Sequence, residues 1–482
     1  MSTLRKGMGA PLLLALTLAC FLAVPELHAQ YETKLVKNWI NWNGMFKEKV
    51  DSVKQRVVLN KMKSQISALS PNSVDGVKSE KGKLTKYLQN YINNEAKKKG
   101  INPSAILVKT IIVKYCSNND PLLWNVTADV EFRRTDTADG STITVPPPKS
   151  KTIPGGSLAI LDQNKMLAIH FDRINTIVPD SVLMFPSSSI DDSAVIAVLD
   201  TGIDTTLFVK GMRSEILWNG PDGSKNLLYG ADQTKYMDDY DSRHGTSVAS
   251  IALNSFYQAS DSTKIPKLMV VKVMNSRGEG SVFELCCGLS YAADNNATVI
   301  NTSMGYYGTS DAVLNYYAEK CHSKSIPIIA AAGNDTLERV QDQECTESIN
   351  DRNRLKDPDH LFYPGCLASD SKYSVISVTG FKIPGVPCYY QNFSKDYVTM
   401  GVMNEKTEDL CCKYQLPFIN SLLALEGSSF ATPVVSGKLA FNISRLGRRI
   451  NIDDYVRMMQ IVNAPSTSSR PPVTQANQYI TY

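Results

Sequence analysis

From residue 193 onward, short apolar runs alternate with stretches in which apolar residues recur at helical spacing. Residues 194–199 read AVIAVL, apolar at every position, which predicts a strand buried on both faces of a parallel sheet. Residues 268–273, 298–301 and 326–332 repeat the type, and residues 282–295 and 311–323 between them predict helices. Such alternation predicts an α/β fold with a mainly parallel central sheet and helices on both of its faces. The texture upstream differs. Residues 45–69 and 83–99 carry helical periodicity among many lysines, and residues 106–116 and 124–133 predict strands rich in β-branched side chains. A smaller α+β region therefore precedes the α/β one. Proline and glycine clusters at 146–148 and 154–156 predict loops, residues 157–171 a further strand pair, and the Ser-, Pro- and Gln-rich end a flexible tail.

Composition narrows the function classes. Of 482 residues, 43% are hydrophobic and 20% charged, which excludes a disordered chain. A net charge of +4 over this length leaves no basic footprint, so no nucleic-acid partner is expected. Residues 10–24 are almost wholly apolar, follow Arg5 and Lys6, and lead to a small residue at Ala29. That pattern predicts a secretory signal peptide over residues 1–29. The run falls short of the roughly 20 residues of a spanning helix. A secreted or periplasmic protein without stable membrane insertion is expected, with an uncleaved anchor or lipoprotein attachment at Cys20 as alternatives. Ten cysteines are present. Loss of Cys20 with the leader leaves an odd number, so at least one thiol is free or paired outside the chain. No spacing is CxxC, and no zinc site is predicted.

Four blocks carry candidate chemistry. Asp200 ends the first buried strand and a Gly turn follows it, where catalytic groups gather in α/β sheets. His244, in Arg243-His244-Gly245-Thr246-Ser247, stands at a predicted helix start, before an apolar helical run reaching Leu253. The helix dipole there disfavours a positive imidazole and suits a neutral proton acceptor. Ser428 and Ser429 open another predicted helix, where a serine is either an N-cap or a nucleophile facing free backbone N–H groups. Asn334, at the end of the run 330–335 (AAAGND), is either a turn residue or an amide donor to an oxyanion.

Together, VLDTG at Asp200, HGTSVA at His244, AAAGND at Asn334 and GSSFATP at Ser429, in that order, resemble the subtilisin-type serine proteases, the subtilases. The resemblance covers residues 190–465 or so. It implies a subtilisin-like three-layer fold over 186–465. Between the signal peptide at 1–29 and that domain, residues 30–185 are a propeptide, a retained accessory domain, or include N-terminal elements of the catalytic domain, and 466–482 are the tail. The resemblance implies a secreted serine endopeptidase with Asp200, His244 and Ser429 as the triad, Asn334 in the oxyanion hole, and an acyl-enzyme intermediate. The Phe-Ala-Thr-Pro that follows sets the register in favour of Ser429 over Ser428. Ser303, Met304 and Gly305 resemble one substrate-binding wall of the family's cleft, and Gly278 and Gly280 the other. Glu279 between them suggests a basic substrate side chain. Ser247 and Ser428 depart from the family's usual His and Thr without removing a triad member. The charged segment 335–361 is longer than is common in the family. No cofactor is required. Calcium sites are frequent in the family, but no full oxygen-ligand set is identifiable and no metal is assigned. The expected partner is a protein or peptide substrate, and a monomer is expected. The alternatives are a catalytically inactive subtilase-fold binding module, and a restricted processing protease or peptide ligase.

Overall fold

The computed structural model describes residues 39–40, 106–116, 124–134, 143–144, 166–168, 173–177, 189–208, 215–220, 223–228, 235–261, 263–334, 355, 361–383, 386–388, 391–403, 422–447, 449, 454, 456, 462–463 and 478–481. The chain divides into two compact units, Met1–Asn164 and Lys165–Tyr482. The division falls ahead of the 185/186 boundary read from the sequence.

The first unit contains β1 (Trp39–Ile40), β2 (Ile106–Tyr115), β3 (Trp124–Arg134) and β4 (Ile143–Thr144). They form an antiparallel sheet in the order β1-β3-β2, with β4 also on β3. The two long strands fall where β-branched residues crowd, as expected. The helical patterns at 45–69 and 83–99, the loops at 146–148 and 154–156 and the leader lie outside the described residues.

The second unit holds the remaining strands. They are β5 (Met166–Ala168), β6 (Arg173–Ile177), β7 (Ser189–Asp200), β8 (Lys225–Asn226), β9 (Lys264–Lys272), β10 (Glu279–Ser281) and β11 (Val299–Thr302). After these come β12 (Tyr306–Gly308), β13 (Ile328–Ala331), β14 (Leu361–Tyr363), β15 (Val375–Ile383), β16 (Val386–Pro387), β17 (Met400–Met403), β18 (Leu422–Glu426), β19 (Val462–Asn463) and β20 (Gln478–Thr481). The central sheet runs β19-β20-β17-β15-β13-β11-β7-β9-β8 and is parallel from β20 to β8. Every residue of β11 and β13 is buried, the reason these runs carry no polar alternation.

Among the described residues four helices cover the sheet: α1 (His244–Ala259), α2 (Val282–Asp294), α3 (Ala312–Ser323) and α4 (Ser428–Leu446). Side chains alternate along a strand, and β7 shows which helix lies on which face. Ile196 and Val198 join the apolar cluster of α1 and α4, with Phe256 and Phe430 fully buried in it. Leu199 points the other way, against Gly288 of α2. The mainly parallel, helix-covered sheet expected from the sequence is therefore present. The α1 and α4 axes approach closely because position 437 is glycine: a Cβ there would lie 2.3 Å from the Ala252 carbonyl oxygen. Ser281 caps α2 through Glu284 N–H, and Asp311 caps α3 through the N–H groups of Val313 and Leu314.

Two expectations need correction. Residues 478–481 of the stretch read as a flexible tail form β20, because Tyr479 and Ile480 are buried beside β17. Within residues 157–171, β5 pairs with distant β10, not with a neighbouring strand, since three residues gain their backbone partners from an open edge elsewhere.

Candidate active site

Asp200 is the last residue of β7, and β7 turns there because Gly202 takes φ +110, where a Cβ would meet the Tyr236 carbonyl at 2.4 Å. His244 is the first residue of α1 and Ser429 the second of α4. Asn334 follows the end of β13. The four lie at the carboxyl ends of parallel strands or the amino ends of the helices packed on them.

The fold brings His244 to Asp200. Nδ1 of the imidazole lies 2.8 Å from Asp200 Oδ1, and neither side chain is exposed. The same Oδ1 accepts from Thr201 N–H at 2.7 Å and from Thr201 Oγ1 at 3.3 Å. Asp200 Oδ2 is buried with no hydrogen-bond partner. The His244 ring centroid is 5.2 Å from that of Phe430, the residue after Ser429. Nucleophile candidate and base candidate are thus carried by two helices in direct contact.

Asn334 meets the same helix start. Its Oδ1 accepts from Ser428 N–H at 3.0 Å and Ser428 Oγ at 3.1 Å. Those two donors identify the oxygen end of the amide and leave the NH₂ end as donor. Tyr307 Oη donates to the Asn334 carbonyl at 2.7 Å, and Asn392 Nδ2 donates to both Tyr307 Oη and the Ala332 carbonyl at 2.8 Å.

The expected substrate walls are placed as follows. Gly280 lies in β10, and Gly278 precedes it at φ +68. Ser303 and Met304 are buried between β11 and β12, and the Ser303 hydroxyl turns inward to the Ser429 carbonyl. Gly305 sits against the Tyr363 carbonyl. Glu279 is engaged by Arg277, Nε to Oε2 at 2.9 Å, so its charge is already paired on the surface. A segment of the chain itself lies on the first of these walls and on the strand leading to Ser429. Antiparallel β5 sets Leu167 opposite Gly280, and β6 pairs with β18 so that Arg173 faces Glu426, three residues before Ser429.

Several residues of the site were not singled out from the sequence. Asp238 is buried and accepts from Thr246 N–H at 2.9 Å and Thr246 Oγ1 at 2.7 Å, capping α1 in place of Arg243, whose side chain makes no cap bond. Burial pushes its carboxyl above the ordinary carboxylate value, against the pull of the two Thr246 donors, and the charge of nearby Asp200 adds to the rise. Lys272 is buried beside Asp200 and donates to the Thr201 carbonyl and, at 2.6 Å, to Asp239 Oδ1. A lysine inside the apolar run LMVVKV was the visible signal. Asn301 and Ser436 complete the buried polar set. Among the described cysteines, Cys116, Cys287 and Cys388 are each disulfide-bonded, while Cys286, next to Cys287, is a free buried thiol raised well above its ordinary value by burial. Among the described residues no group of three or more His, Cys, Asp or Glu side chains is arranged to hold a metal, and no helix is long and apolar enough to cross a membrane.

A model of the subtilase family matches residues 191–462. A cell wall-associated protease of Bacillus subtilis (strain 168) is 35% identical over 149 residues, 30% of this chain and 15% of that protein. A cuticle-degrading serine protease of Arthrobotrys oligospora is 29% identical over 236 residues, 42% of this chain and 56% of that protein. The chain thus spans less than two thirds of the length of either relative. The solved structure of a lanthipeptide protease aligns at a TM-score of 0.44 and 16% identity, over 60% of this chain and 85% of that one.

Proposed function

The chain belongs to the subtilase family, and from that premise we propose that it is a serine endopeptidase acting through Asp200, His244 and Ser429. The observation that carries the reading is the buried 2.8 Å contact between His244 Nδ1 and Asp200 Oδ1, at the head of a helix packed on the one that bears Ser429. Asp200 accepts a hydrogen bond from Nδ1–H, which keeps the proton on Nδ1 and leaves Nε2 as the base. Ser429 Oγ attacks a peptide carbonyl carbon while its proton passes to Nε2. The adduct collapses, the C–N bond breaks, and the amine leaves with that proton. Water then adds to the acyl-enzyme by the same route, releases the acid and restores Ser429. The Asn334 NH₂ group and the Ser429 N–H stabilise the oxyanion, and loss of such a side-chain donor costs about 10²–10³ in turnover. Substrates are proteins or peptides held in extended form between residues 278–280 and 303–305. The leader read at 1–29 supports an activity outside the cytoplasm.

A fluorophosphonate probe tests the reading, with wild type beside Ser429→Ala. Labelling of wild type alone, mapped to Ser429, is expected. No labelling of either, also after limited proteolysis, would instead favour a binding module, and labelling that survived the substitution would name another serine.

One observation favours a first substrate. The chain's own β5 lies on β10 and its β6 on β18, the strand leading into Ser429. This supports self-cleavage within residues 169–172, with the upstream region released as a propeptide and not retained as an accessory domain.

A further inference from the structure

Helix α4 contains Pro433, four residues after Ser429. In an α-helix the carbonyl of residue 429 would accept from the N–H of residue 433, and proline has none. The proline ring also crowds that carbonyl and tilts it outward. The nucleophile's own carbonyl, buried at the head of the helix, therefore lacks its helical donor.

The structure supplies a replacement from another element. Ser303 Oγ donates to the Ser429 carbonyl at 2.7 Å. A carbonyl only accepts, so the Ser303 proton is committed to it, and Ser303 Oγ must accept from elsewhere. It does so from Asn301 Nδ2 at 2.9 Å. That bond points Asn301 Oδ1 the other way, where Ser436 Oγ donates at 2.8 Å. All four residues are buried. The path starts on α4 at Ser436, crosses to β11 and returns to α4 at Ser429. It forms a closed brace around the turn of helix that Pro433 opens.

We propose that Ser303 is a positioning residue that replaces the helical hydrogen bond lost at Pro433, and so fixes the backbone from which Ser429 attacks. Asn301 and Ser436 hold the Ser303 hydroxyl in its donating orientation. The inference rests on Ser429 being the nucleophile. It assigns to Ser303 a role separate from any contact its backbone makes with substrate, because the hydroxyl is turned inward.

The test is a double-mutant cycle. Ser303→Ala removes the donor, and Pro433→Ala returns an N–H to the helix. Four proteins, wild type, the two single variants and the double variant, are compared for the rate of fluorophosphonate labelling and for kcat and KM on a peptide substrate. Ser303→Ala alone should lower labelling rate and kcat about tenfold at nearly unchanged KM, the size of one lost hydrogen bond. In the Pro433→Ala background the same change should cost less than about twofold, because the helix now supplies the bond. A role in packing alone would give equal losses in both backgrounds, and that result, or no loss in Ser303→Ala, would overturn the inference. If Ser303→Ala alone does not fold, a double variant that folds and labels supports it, and failure of both overturns it. A wild type that takes no label at all sinks the protease reading instead, and the brace with it.

Discussion

His244 and Asp200 meet through one atom of each, Nδ1 and Oδ1, 2.8 Å apart and sealed from solvent. Because Oδ1 also takes the Thr201 N–H, the carboxylate is held by backbone and cannot swing to offer its other oxygen without losing a bond. The contact therefore sets the imidazole tautomer. Asp200→Asn keeps the shape and offers an N–H in place of an acceptor. It should lower turnover about 10⁴-fold through the wrong tautomer, with little change in thermal midpoint. Peptide-hydrolysis kinetics beside a melt check this, and near-normal turnover would remove Asp200 from the mechanism.

Self-cleavage has a direct readout. Full-length wild type should yield a fragment whose new N-terminus falls just after one of residues 169–172, found by intact mass and N-terminal sequencing. The Ser429→Ala protein should stay joined across that stretch. A cut that persists in Ser429→Ala belongs to another protease.

The crossing of α1 and α4 should be intolerant of a single methyl group. A Cβ at position 437 would meet backbone on both near sides, the Ala252 carbonyl at 2.3 Å and the Phe256 nitrogen at 2.7 Å. Neither can move without moving α1. Gly437→Ala should destabilise by about 1–3 kcal/mol, despite alanine's better helix propensity. Denaturant unfolding checks this, and a stabilised variant would mean the helices part freely.

Asp294 ties α2 to α3 through Lys320 at 2.8 Å and Lys324 at 3.0 Å. Burial alone would raise its carboxyl, but the two lysine hydrogen bonds and their charges outweigh it and hold the group below its ordinary value. A lowered carboxylate pKa contributes stability above the unfolded value and loses it as pH falls through the folded one. Wild type should therefore exceed Asp294→Asn in stability at neutral pH, by a modest margin because Asp294 is half exposed. The margin should close on acidification. A margin constant down to acid pH would show that the charge is not its source.

Arg277 occupies the Glu279 carboxylate that the sequence offered to a basic substrate side chain. Arg277→Ala should free it and raise the kcat/KM ratio of lysine- over leucine-bearing peptides at the subsite beside β10. An exposed pair of this kind is weak, about 0–1 kcal/mol, so a change of a few-fold is expected. An unchanged ratio would place Glu279 outside the subsites.

The sheet was legible because its strands are buried on both sides: β7, β11 and β13 contain the apolar runs that announced them. Boundaries were less so. Helix α1 continues past Leu253 to Ala259, because its last turns carry Asn254 and Gln258 on a polar side that apolar counting ends at. Four residues, QYIT, form β20 inside a Pro- and Ser-rich end, and only the vacant edge of β17 explains them. Within the site, Asp200, His244, Asn334 and Ser429 stood out through local sequence. Lys272 and Asn301 were visible only as polar letters in apolar runs. Asp238 and Ser436 carried no such mark, since their partners, Thr246 and Asn301, are set by tertiary packing.

The pairing of β5 with β10 has a kinetic consequence. A strand tethered to the protein that binds it competes at an effective concentration on the order of millimolar, whatever the dilution. External substrate at micromolar level would meet a cleft already saturated by its own chain. Cutting the chain does not by itself end that occupancy, because the three residue pairs of β5 remain until the strand departs. The delay before activity appears would then be governed by strand dissociation, and it would not shorten as the protein is made more concentrated.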